Sequence, residues 1–214
     1  IKGNVITDAN IDEKVQANKA DGYILSKVDN TPLVLTGSVI ENTIKVYYTK
    51  RTDLSYTVKY LDETGKELAE TKTVNNKTFE EIVKETAEEI EGYNVDSKEK
   101  TLVIGTATNE IIFNYTKKSD LSYTVKYVDE SGKEIAESKQ EVNQVFASEV
   151  TENAIDIPGY NKTGETTKSI TIKVSGNEIT FTYTIKTDLS YTVKYLLKDN
   201  DEDNTNNTVL HEAK

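Results

Sequence analysis

Along much of the chain, apolar and polar residues alternate one by one. Leu54, Tyr56, Val58 and Tyr60 alternate with Ser55, Thr57 and Lys59. A period of two gives an extended strand one apolar and one polar face. Asp62-Glu63-Thr64-Gly65 follows as a turn, with Gly65 able to take positive φ, and 66–74 reads as a weaker second strand. The pattern then changes. Phe79, Ile82, Val83 and Ala87 stand at i, i+3, i+4 and i+8, the apolar stripe of a short amphipathic helix; the matching stretch 145–154 shows it less clearly. Ile170, Ile172 and Val174 alternate again, as do Ile179, Phe181 and Tyr183, and Ser175-Gly176-Asn177-Glu178 between them reads as a hairpin turn.

These patterns recur. Asp-Leu-Ser-Tyr-Thr-Val-Lys-Tyr occurs unchanged at 53–60, 120–127 and 188–195, at almost equal intervals. Gly-Tyr pairs at Gly22-Tyr23, Gly92-Tyr93 and Gly159-Tyr160 keep the same period, as do Tyr48-Thr49, Tyr115-Thr116 and Tyr183-Thr184. Fixed-period self-similarity marks a tandem-repeat architecture. The chain therefore divides into the C-terminal half of a repeat (1–52), two complete repeats (53–119 and 120–187) and the N-terminal half of another (188–214). Each repeat reads as ββαββ, an α+β, strand-dominated unit of the β-grasp (ubiquitin-like) kind. A small all-β sandwich, with the helical segment extended instead, is the alternative. Only Lys117, Lys118 and Ser119 separate Thr116 from Asp120. So short a linker, without glycine, restricts reorientation and predicts an elongated, jointed rod.

Tyr56-Thr57-Val58-Lys59-Tyr60-Leu61-Asp62-Glu63-Thr64-Gly65-Lys66-Glu67-Leu68 carries a resemblance, and so does its copy Tyr123-Thr124-Val125-Lys126-Tyr127-Val128-Asp129-Glu130-Ser131-Gly132-Lys133-Glu134-Ile135. With the Gly-Tyr pairs and the closing Phe113-Asn114-Tyr115-Thr116, these segments resemble the MucBP (mucin-binding protein) repeats of Gram-positive surface proteins. The resemblance covers essentially the whole chain. It implies a secreted, cell-wall-anchored adhesin with β-grasp-like repeats, and host mucin or glycan as the partner to test. The sequence itself contains no cell-wall sorting motif.

Composition narrows the chemistry. Cys, Met and Trp are absent from the 214 residues, so there is no disulfide, thiolate nucleophile or thiolate metal site. The missing Met predicts an internal segment of a longer protein. A net charge of −11 opposes nucleic acid and anionic lipid, and no apolar run reaches the roughly 18 residues of a membrane span. The expectation is no nucleic-acid partner and no membrane insertion. His211 is the only histidine. Without a phosphate loop or a His-based metal motif, the chain reads as no enzyme and as needing no cofactor.

The 13 tyrosines offer sugar-stacking platforms. Tyr56, Tyr60 and Tyr115, on apolar stripes, are instead expected in the core with the hydroxyl at its edge. Tyr47 interrupts the alternation beside Tyr48, while Tyr93 and Tyr160 follow glycine. These three, with Lys168 and Lys173 flanking Ser-Ile-Thr-Ile, are the candidate ligand-binding residues. Asp199, Asp201 and Asp203 resemble the start of a calcium loop, but Asn204 and Leu210 stand where an EF-hand needs Gly and Glu. The stretch reads first as a solvated hairpin loop. A Lys–Asn crosslink assisted by an acid is a further, weaker candidate.

The half repeats leave strand edges uncovered, which predicts head-to-tail self-association of one copy's tail with the next copy's head. Three roles follow for the repeats. A glycan binder needs an exposed aromatic or basic patch present at the same place in each repeat. A spacer needs none. An edge-pairing protein binder needs an unpaired, uncharged strand.

Overall fold

β-branched and aromatic residues at every second position are what a pleated, half-buried surface accommodates, and the strands form on those runs. The computed structural model describes residues 3–6, 21–39, 41–197 and 208–213. The chain falls into two compact units, 1–118 and 119–214. In the first, β1 (Val5–Ile6) pairs with β3 (Leu33–Val34), and β2 (Tyr23–Asp29) with β4 (Lys45–Lys50), all antiparallel.

The first complete repeat follows with β5 (Leu54–Asp62), β6 (Lys72–Lys77), β7 (Ile82–Thr86), β8 (Tyr93–Val95), β9 (Glu99–Val103) and β10 (Glu110–Lys117). Its main sheet has the order β6-β5-β10-β8, and β7 and β9 form a separate antiparallel pair. The central strands β5 and β10 run parallel. A parallel pair requires a crossover connection, and the chain between them supplies one. The second repeat has β11 (Leu121–Asp129), β12 (Lys139–Gln144), β13 (Glu149–Asn153), β14 (Tyr160–Thr163), β15 (Thr167–Thr171) and β16 (Glu178–Ile185). Its sheet order is β12-β11-β16-β14, again with the central pair parallel, beside a β13-β15 pair. The hairpin β17 (Val193–Leu197) and β18 (Thr208–Ala213) comes last.

The ββαββ β-grasp expectation is overturned: no helix occurs among the described residues, and the all-β alternative fits. The stretch expected to be helical is strand β7. Val83 and Glu85 point inward, while Ile82 is 72% exposed. Phe79, Ile82, Val83 and Ala87 also satisfy a helical spacing, and Glu85 hides the true period of two by placing a charge on the inward face. Asn76 and Glu80 take φ of 58° and 63°, which breaks helical geometry on entry. The hairpin expected at Ser175–Glu178 is likewise not one. β15 pairs with β13 and β16 with β11 and β14, so the loop crosses from one sheet to the other.

The two sheets of a repeat share one core. Val58, Ile104 and Phe113 are fully buried in the first repeat and cluster with Val83. Ile172, Phe181 and Val125 do the same in the second. Fully burying such a side chain contributes about 1.5–3 kcal/mol. Tyr60 stacks on Phe113 with centroids 5.9 Å apart, and Tyr127 on Phe181 at 6.2 Å, separations at which aromatic pairs attract beyond their buried area.

The octapeptide shows what the neighbours decide. Leu54, Tyr56, Val58 and Tyr60 are 7, 5, 0 and 2% exposed, whereas Leu189, Tyr191, Val193 and Tyr195 are 68, 80, 37 and 54% exposed. The residues are identical. β5 lies between β6 and β10, while β17 is paired with β18 alone among the described strands. Burial of the stripe therefore depends on the closing strand and the second sheet.

Candidate functional site

The repeats share one partly buried polar cluster. Tyr56 sits on the inward face of β5, Lys72 at the start of β6 and Glu85 on β7. The Tyr56 hydroxyl donates to Glu85 Oε1 at 2.5 Å, and Lys72 Nζ reaches both carboxylate oxygens at 2.9 and 2.8 Å. The Glu85 side chain is 10% exposed. The second repeat has the same set: Tyr123 donates to Glu152 Oε1 at 2.6 Å, and Lys139 reaches the same atom at 2.8 Å. All three positions move together by one repeat length. Each cluster ties the small sheet to the large one.

Its electrostatics fix the charge states. Burial works to raise the Glu85 carboxyl, but the hydrogen bonds from Lys72 and Tyr56 more than offset it, so its pKa lies below 4.5. The hydrogen bonds from Lys139 and Tyr123 hold Glu152 down likewise. Burial, and then the carboxylate partner, push both phenols up to about 12. At neutral pH the set is a carboxylate that accepts from a phenol and a lysine head group. It fastens β7 to β5 and β6, and β13 to β11 and β12.

Other ties keep the same period. Asn109 Oδ1 accepts from the Gly105 amide at 2.7 Å, and its Nδ2 donates to Ser55 and Gly105 carbonyls at 3.0 and 3.1 Å. Asn177 makes the matching set to Lys173 and Ser122. Asp62 Oδ1 accepts from Thr64 and Lys66 to close the β5–β6 turn, as Asp129 does from Ser131 and Lys133.

The candidate binding residues are spread out. Lys168 turns its head group inward: Nζ donates to the Thr180 carbonyl at 2.6 Å and lies 5.6 Å over Phe181. Lys100, the matching lysine of the first repeat, does the same with Ile112 and Phe113. Tyr93 and Tyr160 are half-buried and pack against their repeats' cores. Lys173 is exposed and holds Asn177 through its backbone. Tyr47 is 39% exposed, with Lys27 Nζ 4.6 Å over its ring. Its counterparts in the repeats are Asn114 and Thr182, so this aromatic is not repeated. Asp199, Asp201 and Asp203 lie outside the described residues. Among the described residues no cluster of acids and histidine could hold a metal ion.

A cleft of about 710 Å³ opens at one end of the first repeat, lined by Glu88, Glu89, Ile90, Tyr93, Lys98 and Lys118. In the second repeat Ile155 stands for Glu88 and Thr166 for Lys98. Ile90, Tyr93 and Lys118 recur as Ile157, Tyr160 and Lys186, so the cleft's apolar floor and one lysine are repeated and its Glu88 and Lys98 charges are not. A lysine, an asparagine and an acid, the residue types of the crosslink candidate, meet in the first repeat. Lys100 Nζ and Asn114 Nδ2 both donate to Asp96 Oδ2, at 2.7 and 3.0 Å. Burial works to raise Asp96, yet these two hydrogen bonds hold its pKa below 3.8.

The edges of the main sheets are blunted. Asn76 and Asn143 take left-handed φ, and the pairings of β5 with β6 and β11 with β12 are each irregular by one step. β6 and β12 also carry Lys72, Lys77, Lys139 and Glu141. At the opposite edges β8 and β14 are only 3 and 4 residues long. Bulges, charges and short strands of this kind oppose strand addition.

The two repeats, with their shared ties, match the MucBP domain model at 56–116 and 123–184, more than half of the chain. The chain belongs to the MucBP domain family. Internalin I of Listeria monocytogenes serotype 4b (strain F2365) is 31% identical over 193 residues, which are 85% of this chain and 10% of that protein. Internalin J of the same strain is 28% identical over 193 residues, covering 79% and 21%. The chain thus spans about a tenth and a fifth of these relatives. Among solved structures, the type 2 repeat of the mucus binding protein MUB from Lactobacillus reuteri covers 62% of this chain and 99% of its own, at 17% identity and a TM-score of 0.25. The Bacillus anthracis TIE protein covers 65% and 36%, at 16% and 0.34.

Sequence reasoning passed over Glu85, Lys72 and Asn109. The available signal was their recurrence one repeat later as Glu152, Lys139 and Asn177.

Proposed function

We propose that this chain is a non-catalytic tandem-repeat segment of a bacterial cell-surface adhesin, and that its MucBP repeats act as load-bearing spacers. The observation that carries the reading is strand placement. Each repeat begins with one central strand and ends with the other, and the two are parallel neighbours. β5 and β10 pair from Glu110↔Thr57 to Tyr115↔Asp62, and β11 and β16 from Thr124↔Glu178 to Asp129↔Tyr183. Tension applied at the start of the first strand and the end of the last pulls them past one another lengthwise. The whole ladder is then loaded in shear at once, rather than one hydrogen bond after another.

Surface chemistry supports the same role. The polar groups kept at the repeat period are ties within each repeat. The exposed aromatic Tyr47 and the cleft charges Glu88 and Lys98 are not kept, and the β6 and β12 edges are irregular and charged. The family and the internalin relatives support extracellular display on the cell surface. Host mucin or glycan is the competing partner. Pulling the whole chain in a single-molecule force experiment tests the spacer reading. It should give two unfolding steps of about 200 Å each, from roughly 60 residues at about 3.5 Å. Extension without discrete steps contradicts it. Self-association of the half repeats is a separate expectation, and sedimentation equilibrium showing monomer only at high concentration removes it.

A further inference from the structure

We infer that the Gly22-Tyr23 turn is a socket for an aromatic ring presented by the following repeat, and that this contact keys the joint between 21–51 and the repeat at 53–118. Four observations converge on it. Gly22 is buried at φ +85°, and a Cβ placed there would lie 2.5 Å from three atoms of the Phe79 ring. Tyr23 meets the same ring edge-on, with centroids 5.5 Å apart and planes at 72°. The Phe79 amide donates to the Arg51 carbonyl at 2.8 Å, and the Arg51 amide donates to the Gly22 carbonyl at 2.9 Å. Lys50 Nζ pairs with Glu80 Oε2 at 2.8 Å beside the ring.

Phe79 lies on the loop between β6 and β7, where Glu80 holds φ of 63°. The ring also packs against the core of its own repeat, so it bridges that core and the Gly22 turn. Arg51 grips Asp53 through Nε and Nη2 at 2.9 and 3.0 Å, so the chain enters β5 from a fixed position. The joint is therefore built from an apolar plug, two backbone hydrogen bonds in series and flanking ion pairs. The partner that fits the socket is a phenyl ring on a left-handed loop of a MucBP repeat. Gly159 provides an internal comparison, because it has the same φ of +85° before Tyr160 and a Cβ there would meet nothing within 4 Å.

The test uses the whole chain and amide hydrogen exchange at Arg51 and Phe79. Gly22→Ala and Gly159→Ala carry the same backbone strain, but Gly22→Ala alone meets the ring. Gly22→Ala should speed exchange at both amides at least tenfold. Gly159→Ala should leave them within twofold. Adding Phe79→Ala to Gly22→Ala removes the obstructing ring. Exchange in that double variant should be no faster than in Phe79→Ala alone. Equal effects of the two glycine substitutions at these amides, or no relief in the double variant, overturn the socket.

Discussion

Removing one oxygen atom tests the partly buried clusters. Tyr56→Phe keeps the ring in its core position and deletes only the hydroxyl that donates to Glu85 at 2.5 Å. Glu85 is nearly shut off from water and keeps Lys72 as its other partner. A hydrogen bond to a charged group contributes about 1.5–3 kcal/mol. The substitution should therefore lower the stability of the first repeat by about 2 kcal/mol, or on the order of 10 °C in Tm for a unit this small. Tyr123→Phe should do the same in the second repeat, because Tyr123 donates to Glu152 at 2.6 Å. The sites belong to separate units, so the double variant should show additive losses. Urea titrations at pH 7, followed by near-UV circular dichroism, measure all three. Changes within about 0.5 kcal/mol, the range of ordinary surface substitutions, refute the fastening role.

Further outcomes follow from the same geometry. The phenol of Tyr56 has a folded pKa of about 12, above its ordinary 10.0. Its stabilisation is complete below pH 10 and lost as pH rises through 12, so alkaline destabilisation should shrink in Tyr56→Phe. Glu85 and Glu152 titrate below 4.5 in the fold. Their contribution is full above that pH and lost on further acidification, so urea midpoints should fall below about pH 4.5. Ile82→Ser should change stability by less than about 0.5 kcal/mol, since the side chain faces water. Val83→Ser should cost several times more, by leaving a gap and a hydroxyl in the core; a helix with both residues on its apolar stripe would have made the two losses alike. Asn109→Ala should cost about 2–3 kcal/mol by stranding the Ser55 and Gly105 backbone groups it ties, readable as a shifted urea midpoint.

The large sheets were legible because their stripes are unambiguous. Leu54 to Tyr60 and Ile179 to Tyr183 contain no polar residue on the inward face, so period and burial agree. The second sheet was not legible because its inward face carries Glu85 and Glu152. A carboxylate in that position reads as solvent-facing until its partners are known, and those partners lie 13 and 29 residues away. The same non-locality hid the crossing at Ile172. Its alternation with Ile170 and Val174 looks like one strand, but β15 ends at Thr171 and Ile172 enters the core between sheets. The polar ties around Asn109 had no local signature at all, only their recurrence as Asn177.

The central claim is that these repeats keep fastenings in common and not a ligand surface. Surface plasmon resonance of the whole chain over immobilised mucin, before and after sialidase treatment and across a salt series, tests it most directly. The spacer account predicts no saturable binding up to high micromolar concentration under any of these conditions. Saturable binding that is lost on Tyr47→Ser or Lys173→Ser contradicts it and makes the repeats themselves adhesive.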